Sequence, residues 1–275
     1  MLFIGGALVF VVVMALAAWA VVRPPRWLGS RGAIVAGGIA FPAVVLFILL
    51  VYSLWRAAAL TAAEPPALIV EVTGHQWWWR VAYLSADGNI DFVTANELRI
   101  PAGQPVEVRL RSADVLHSFW VPNLAGKLDL VPGKDNRLRL AAERPGTFRG
   151  QCAEYCGGPH AQMAFYVVAQ TEEDFERWRQ AQRRPAASSN QLFNSRCAAC
   201  HTVRGTAAAG TLGPDLTHVG SRASIGAGIL PNNRGAIAGW IASSQHLKPG
   251  NLMPSFRDLQ GHELNALAAY VESLE

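Results

Sequence analysis

Residues 151–163 read Gln-Cys-Ala-Glu-Tyr-Cys-Gly-Gly-Pro-His-Ala-Gln-Met, and the rest of the chain is organised around them. Two thiols, a carboxylate, an imidazole and a thioether fall within thirteen residues. Cys152 and Cys156 are four apart, His160 follows four later, and Met163 three after that. Gly157, Gly158 and Pro159 lie inside the run, so it reads as a loop rather than a helix. Thiolate and thioether sulfur with imidazole is a soft donor set that suits copper, whereas magnesium, calcium and manganese prefer carboxylate oxygen. A mononuclear blue-copper centre uses one Cys, so a second thiol points to two metals bridged by both sulfurs. Such a pair needs another imidazole. His117, 35 residues before Cys152 in Val-Leu-His-Ser-Phe-Trp, is placed to supply it at the end of a strand-like segment.

The pattern C-x-E-x-C-x3-H-x2-M with that upstream His resembles the CuA site of cytochrome c oxidase subunit II. The resemblance implies side-chain ligation by His117, Cys152, Cys156, His160 and Met163, and by Glu154 through its backbone carbonyl. It also implies that the Glu154 side chain helps hold a magnesium or manganese ion at the boundary with subunit I. Taken alone, the two thiols fit a disulfide, and a Cys/His cluster fits structural zinc. With His and Met in register, copper is the better reading.

Of the 275 residues, 51% are hydrophobic and only 16% charged, and the apolar excess sits at the N-terminus. Leu2–Val22 is 21 residues without a charge and Gly32–Trp55 is 24 more, each above the ~20 that cross a bilayer. No basic segment precedes the first run, which is also too long for a signal peptide. Arg23, Arg26 and Arg31 between the runs place that loop in the cytoplasm, so both termini and all that follows Arg56 face outward. The expected location is a bacterial inner membrane, with lipid around two spans. Residues 1–63 carry a net charge of +4, residues 64–183 a net −2 and residues 184–275 a net +2. The overall +4 therefore belongs to membrane topology and argues against nucleic acid as a partner. All four cysteines lie in two motifs, which leaves none for a structural disulfide.

Past a short Ala/Pro linker at Thr61–Ala67, strand-like runs appear at 68–73, 80–83, 106–111, 137–141, 147–149 and 164–169. Val106, Val108 and Leu110 alternate with Glu107, Arg109 and Arg111, the period of a half-buried strand. Turns with Pro and Gly separate the runs, which suggests an antiparallel sandwich or barrel. The copper reading and the resemblance narrow this to an all-β, cupredoxin-like Greek-key barrel. Thr171, with Asp174 three residues on, starts a helix that runs to about Arg183. Arg184-Pro185-Ala186-Ala187-Ser188-Ser189 then reads as an interdomain linker. The expected division is a transmembrane hairpin over 1–63, a copper domain over 64–183, a linker over 184–190 and a last domain over 191–275.

That last domain opens on a helical stretch, 191–201, ending in Cys197-Ala198-Ala199-Cys200-His201. C-x-x-C-H is the attachment signature of c-type haem: two thioethers to one porphyrin, with the adjacent imidazole on iron. Zinc would want a second paired motif, and a redox dithiol a βαβ context. Among four methionines, Met1 and Met14 lie in or beside the first span and Met163 is assigned to copper, leaving Met253 as the sixth ligand. His218 and His246 compete for that role and read as ordinary surface or outer-shell histidines. Met/His ligation suits electron transfer. The region resembles an all-α class I cytochrome c domain. Gly213-Pro214 matches that family's loop, implying that the Pro214 carbonyl accepts from His201. Leu264, Leu267, Ala268, Val271 and Leu274 supply the apolar face of a closing helix.

His75-Gln76-Trp77-Trp78-Trp79 resembles the aromatic patch where electrons enter the copper site of subunit II, with Trp77 exposed. Residues 121–129, with Lys127 and Asp129, resemble the segment lying over subunit I. Hairpin, cupredoxin and fused cytochrome together resemble subunit II of a caa3-type haem–copper oxidase. The resemblance implies electron transfer from a soluble or membrane cytochrome, or a similar donor, through covalent haem c and dinuclear copper to haem in subunit I, where oxygen becomes water. Other membrane subunits would complete the complex. A CuA-containing nitric oxide reductase subunit and a free-standing membrane-tethered carrier are the alternatives. Quinol oxidase subunits are disfavoured because they lack the copper ligands. Residues 1–63 contain no acid, so the glutamate that begins a proton path in many family members is missing.

Overall fold

The computed structural model describes residues 2–22, 30–61 and 65–275, so Arg23 and Arg26, on which the loop orientation rests, lie outside the described residues. The chain divides into two units, Met1–Glu64 and Pro65–Glu275. In the first, α1 (Leu2–Val22) is one uninterrupted apolar helix. A second helical stretch runs through α2 (Arg31–Val35), a π-turn at Ala36–Ala40 and α3 (Phe41–Thr61). The π-turn falls on Gly37-Gly38, where low helix propensity tolerates the wider winding. Two spans, Phe3–Val22 and Arg31–Ala58, are long and apolar enough to cross a membrane, and side chains such as Phe3, Leu8, Phe47 and Ile48 are exposed along them.

The second unit begins with two five-stranded sheets. One contains β1 (Leu68–His75), β2 (Trp78–Leu84), β3 (Ile90–Ala95), β5 (Val106–Ser112) and β8 (Asn136–Leu140), in the order β3-β2-β1-β5-β8. The other contains β4 (Glu97–Pro101), β6 (His117–Trp120), β7 (Leu128–Leu130), β9 (Gly146–Cys152) and β10 (Ala164–Gln170), in the order β4-β10-β9-β6-β7. β1 runs parallel to β5 and β4 parallel to β10, while the remaining neighbours are antiparallel. Burial alternates strictly along β1, with Leu68, Val70 and Val72 facing inward. Between the sheets Trp79 meets Phe119 edge-on at 6.0 Å and Phe165 at 5.2 Å, while Phe119 and Phe165 stack at 4.6 Å. Each such pair adds about 1 kcal/mol beyond the area it buries. This aromatic block lies directly under His117, whose ring is 6.1 Å from Trp79.

Helix α4 (Glu172–Gln182) is capped by Thr171, whose Oγ1 accepts from the Asp174 amide at 3.2 Å, as the sequence suggested. Beyond it lie α5 (Gln191–Arg196), a two-stranded ribbon β11 (Ser224–Ile225) and β12 (Leu230–Pro231), α6 (Arg234–Leu247) and α7 (Gly261–Glu272). They enclose a second core that includes Phe193, Val203, Ile237, Ile241, Leu267 and Val271. The fold is thus two apolar helices, a cupredoxin-like β domain and a helical cytochrome c domain. Helix α5 ends at Arg196, so the Cys-Ala-Ala-Cys-His turn follows the helix rather than lying within it. Leu274, assigned to the face of α7, lies past its end, and its carbonyl instead accepts from the Gly220 amide at 2.7 Å.

Candidate copper and haem sites

The copper donors come from two elements that the aromatic core holds together. His117 opens β6 rather than ending a strand, because Ser112–Asp114 closes β5 before it. Asp114 fixes the imidazole: its Oδ1 lies 2.8 Å from His117 Nε2, which leaves Nδ1 turned to the sulfurs. Behind the ring, a Cβ on Gly74 would lie 2.8 Å from His117 Cδ2, so glycine is required there by close approach. The other donors begin at Cys152, the last residue of β9. Cys152 Sγ is 3.9 Å from His117 Nδ1, 3.8 Å from Cys156 Sγ and 3.2 Å from the Glu154 carbonyl oxygen. Cys156 Sγ lies 3.5 Å from His160 Nδ1 and 3.8 Å from Met163 Sδ. Gly158–Gln162 winds as a short 3-10 turn, which brings His160 and Met163 back over the sulfurs.

His117, Cys152 and Met163 are buried, and the ligand atoms of His117, Cys152 and Cys156 all lie within 4.8 Å of one another. The neighbouring Cys156 thiol lowers the pKa of Cys152, while the Cys152 sulfur raises that of Cys156. Burial opposes charge on His117, but Cys152 and Asp114 outweigh it and raise its pKa. Two sulfurs from thiols, one from a thioether, two imidazoles and one carbonyl, backed by an aromatic block, fit copper better than a hard cation. The disulfide alternative finds both thiols free, at a separation well beyond an S–S bond.

The second centre is a cavity of about 380 Å³ lined by Cys197, Cys200, His201, Pro214 and Met253 among mostly apolar side chains. His201 Nδ1 is 2.8 Å from the Pro214 carbonyl oxygen, so that nitrogen donates and Nε2 is free for a metal. Burial lowers the His201 pKa, which keeps the ring neutral as ligation requires. A Cβ on Gly213 would lie 2.6 Å from His201 Cε1, the counterpart of Gly74 behind His117. Ser244 Oγ and Gln245 Nε2 both donate to the Met253 carbonyl at 2.8 Å, which sets the Met253 loop in place. An apolar cradle holding two thiols, one oriented imidazole and one thioether fits a c-type haem. His246 is exposed, as expected of an ordinary surface histidine. His218 is not on the surface: it is 4% exposed and its Nε2 lies 2.9 Å from the Arg184 carbonyl oxygen.

Trp77 differs most from the sequence expectation. It is half-buried, not exposed, because the cytochrome domain covers it. Its Nε1 donates to the Cys156 carbonyl at 2.8 Å, alongside Gln76 Nε2 at 2.8 Å. The same side chain lines the haem cavity, and a Cβ on Gly250 would lie 3.9 Å from its ring. Trp78 stacks on His75 at 4.5 Å and Trp79 is core. Lys127 pairs with Glu154 at 4.0 Å, not with Asp129, and both side chains are about half exposed. Sequence reasoning passed over Lys248, which is 2% exposed and reaches this junction. Burial pushes its ammonium down to about 7, with the Cys156 sulfur opposing the shift. A lysine before Pro-Gly gives no local sign of such burial.

Fold and sites together define a cupredoxin joined to a cytochrome c, an electron-transfer architecture. Two family models match: cytochrome c oxidase subunit II, periplasmic domain, over residues 85–170, and cytochrome c over residues 186–275. A cytochrome c oxidase subunit 2 from Alkalihalophilus pseudofirmus is 37% identical over 249 residues, covering 85% of this chain and 71% of that one. One from Bacillus subtilis is 32% identical over 228 residues, covering 76% of this chain and 63% of its own length. Among solved structures, the periplasmic domain of subunit II of the Bradyrhizobium japonicum cytochrome oxidase is 29% identical, with a TM-score of 0.41 over 44% of this chain and 96% of that one. The chain belongs to the cytochrome c oxidase subunit 2 family. Membership implies copper in the first domain and haem in the second.

Proposed function

We propose that the chain is the electron-entry subunit of a respiratory haem–copper oxidase in a bacterial inner membrane. Two spans within 1–63 anchor it, and the copper domain (64–183), the linker (184–190) and the cytochrome domain (191–275) lie on the outer face. When bound, haem c and a copper pair would supply one-electron chemistry between a cytochrome-like donor and haem in subunit I, where the complex would reduce oxygen to water.

The protein's own residues hold and orient these groups. Cys197 and Cys200 would hold the porphyrin through thioethers, His201 and Met253 would be donors to its iron, and the Pro214 carbonyl orients the His201 ring. His117, Cys152, Cys156, His160, Met163 and the Glu154 carbonyl surround the copper pair. The half-exposed Glu154 side chain is the chain's contribution to a magnesium or manganese site that subunit I completes. Trp77 bridges the two centres. The observation that carries the reading is this residue, bonded to the Cys156 carbonyl at 2.8 Å while it lines the cavity that holds Cys197 and His201.

The test begins with purification from membranes. The chain is expected to co-purify with a large haem-containing subunit in a complex that consumes oxygen. Consumption of nitric oxide instead would assign it to a nitric oxide reductase, and isolation without any such subunit would make it a free carrier. In rapid mixing with reduced donor, haem c is expected to gain its electron before copper. Trp77→Ala should slow only the second step. Reduction of copper first would overturn the proposed route.

A further inference from the structure

Lys248 is a buried cation whose three partners are main-chain carbonyls rather than carboxylates. Its Nζ donates to Trp77 O at 2.7 Å, Gln162 O at 2.7 Å and Gly226 O at 3.2 Å. An ammonium carries three donors, so the acceptors match its full capacity. The three carbonyls belong to three separate places. Trp77 bridges the two centres, Gln162 precedes the copper donor Met163, and Gly226 lines the haem cavity. Lys248 itself directly follows α6, five residues before Met253. Burying an ammonium costs several kcal/mol unless it is fully hydrogen-bonded, so such a group persists where it fixes a geometry.

Other contacts close the same seam. The Ala164 amide, next to Met163, donates to Ala227 O at 3.0 Å, and Ala227 adopts φ +66°, a strained value for a residue with a Cβ. At the far end Glu97 Oε2 accepts from the Ala223 amide at 2.6 Å and Arg99 donates to Ser221 O at 3.0 Å. The Pro/Ala/Ser linker is no loose tether either. The Ala186 amide donates to Arg204 O at 2.8 Å, and Tyr270 Oη to Ser188 O at 3.2 Å.

We infer that Lys248 is a positioning residue for transfer between the two centres: it locks Trp77 and the copper loop against the haem-ligand loop. The cytochrome domain then works from one fixed seat instead of swinging on its linker. The inference rests on the electron-entry reading and adds to it how the two centres are held in register.

The test uses the full chain with copper and haem bound, reduced by a flash-excited ruthenium bipyridine dye, with absorbance followed at both centres. Lys248→Met, which removes all three of these hydrogen bonds, is expected to slow transfer between haem and copper by about tenfold or more. The copper resonance spectrum, the haem spectrum and potential, and reduction by the dye should stay unchanged. Lys248→Arg, which keeps charge and donors, should recover most of the rate. A second variant of the full chain carries seven Gly/Ser residues inserted after Ser189, about doubling the linker. A fixed seat leaves the rate unchanged, whereas a freely tethered carrier slows about threefold as effective concentration falls. Wild-type transfer in Lys248→Met, or slowing by the insertion, would overturn the inference. If the Met variant does not accumulate, the insertion decides alone. Absence of any transfer in the unmodified chain would instead overturn the electron-entry reading, and this inference with it.

Discussion

The two centres solve one problem in opposite ways. The copper donors lie close together: the two sulfurs, two imidazoles and thioether sit in successive contacts no longer than 3.9 Å, backed by Trp79, Phe119 and Phe165. The haem donors instead line a cavity of about 380 Å³ that only a large cofactor can fill. A small ion can be received by a rigid sheet edge, because its absence leaves little void. A porphyrin would fill a cavity beside the core of Phe193, Ile237, Ile241 and Leu267, so the cytochrome domain is expected to depend on it more. Copper tunes the first site, and haem completes the second fold.

The sharpest way to break this contrast is to withhold each cofactor. Replacing both Cys197 and Cys200 by Ser prevents covalent attachment, and an unfilled cavity of 380 Å³ costs at most about 9 kcal/mol. That is comparable with the whole stability of a domain. Calorimetry should show the cytochrome transition lost while the copper domain still melts cooperatively. Retention of both transitions would show that the haem fold does not need its cofactor.

Copper removal should do far less to the fold and far more to a spectrum. Chelated protein should keep its sheet signature in circular dichroism. The loaded protein should show electron paramagnetic hyperfine structure from two equivalent copper nuclei. Cys156→Ser should abolish that signature, because one of the two sulfurs that would hold the pair is gone. A four-line mononuclear pattern in the fully loaded wild-type chain would refute the paired site.

Met253→Ala should remove any sulfur-to-iron absorption band while leaving the haem attached, and because Met253 is only partly buried it should cost less than the roughly 2 to 5 kcal/mol of a fully buried methionine. Survival of the band would discard Met253 as the ligand. The smallest effects come from the glycines behind each imidazole, at about 1–3 kcal/mol for an added methyl. Gly74→Ala should shift the copper spectrum and spare the haem, and Gly213→Ala should do the reverse. A shift at the wrong centre would mean that the two sites are not separately supported.

The contrast also explains what was legible in the sequence. The copper motif lies in thirteen consecutive residues, and the haem-attachment Cys-Ala-Ala-Cys-His in five, so local spacing exposed both. Strands with clean alternation, β1 and β5, were readable for the same reason. Strands β3, β4, β6 and β7 were not. Glu97 on β4 is buried because Arg99 and the distant Ala223 amide satisfy it, and no pattern in Glu-Leu-Arg-Ile-Pro announces that. Trp77 read as exposed because the loop that covers it lies more than 170 residues away, where Lys248 bonds to its carbonyl. Contacts built across the chain leave no period in it.

The bonded linker has a consequence for proteolysis. Residues 184–189 look like a cleavage site: short, rich in Pro, Ala and Ser, and largely exposed. A protease must draw an extended segment into its cleft, and here Arg204, His218 and Tyr270 hold the Arg184, Ala186 and Ser188 backbone in place. Cutting therefore waits on local opening of the linker. A chain nicked there would stay whole, its halves still joined by the Arg99–Ser221 and Lys248–Gln162 bonds.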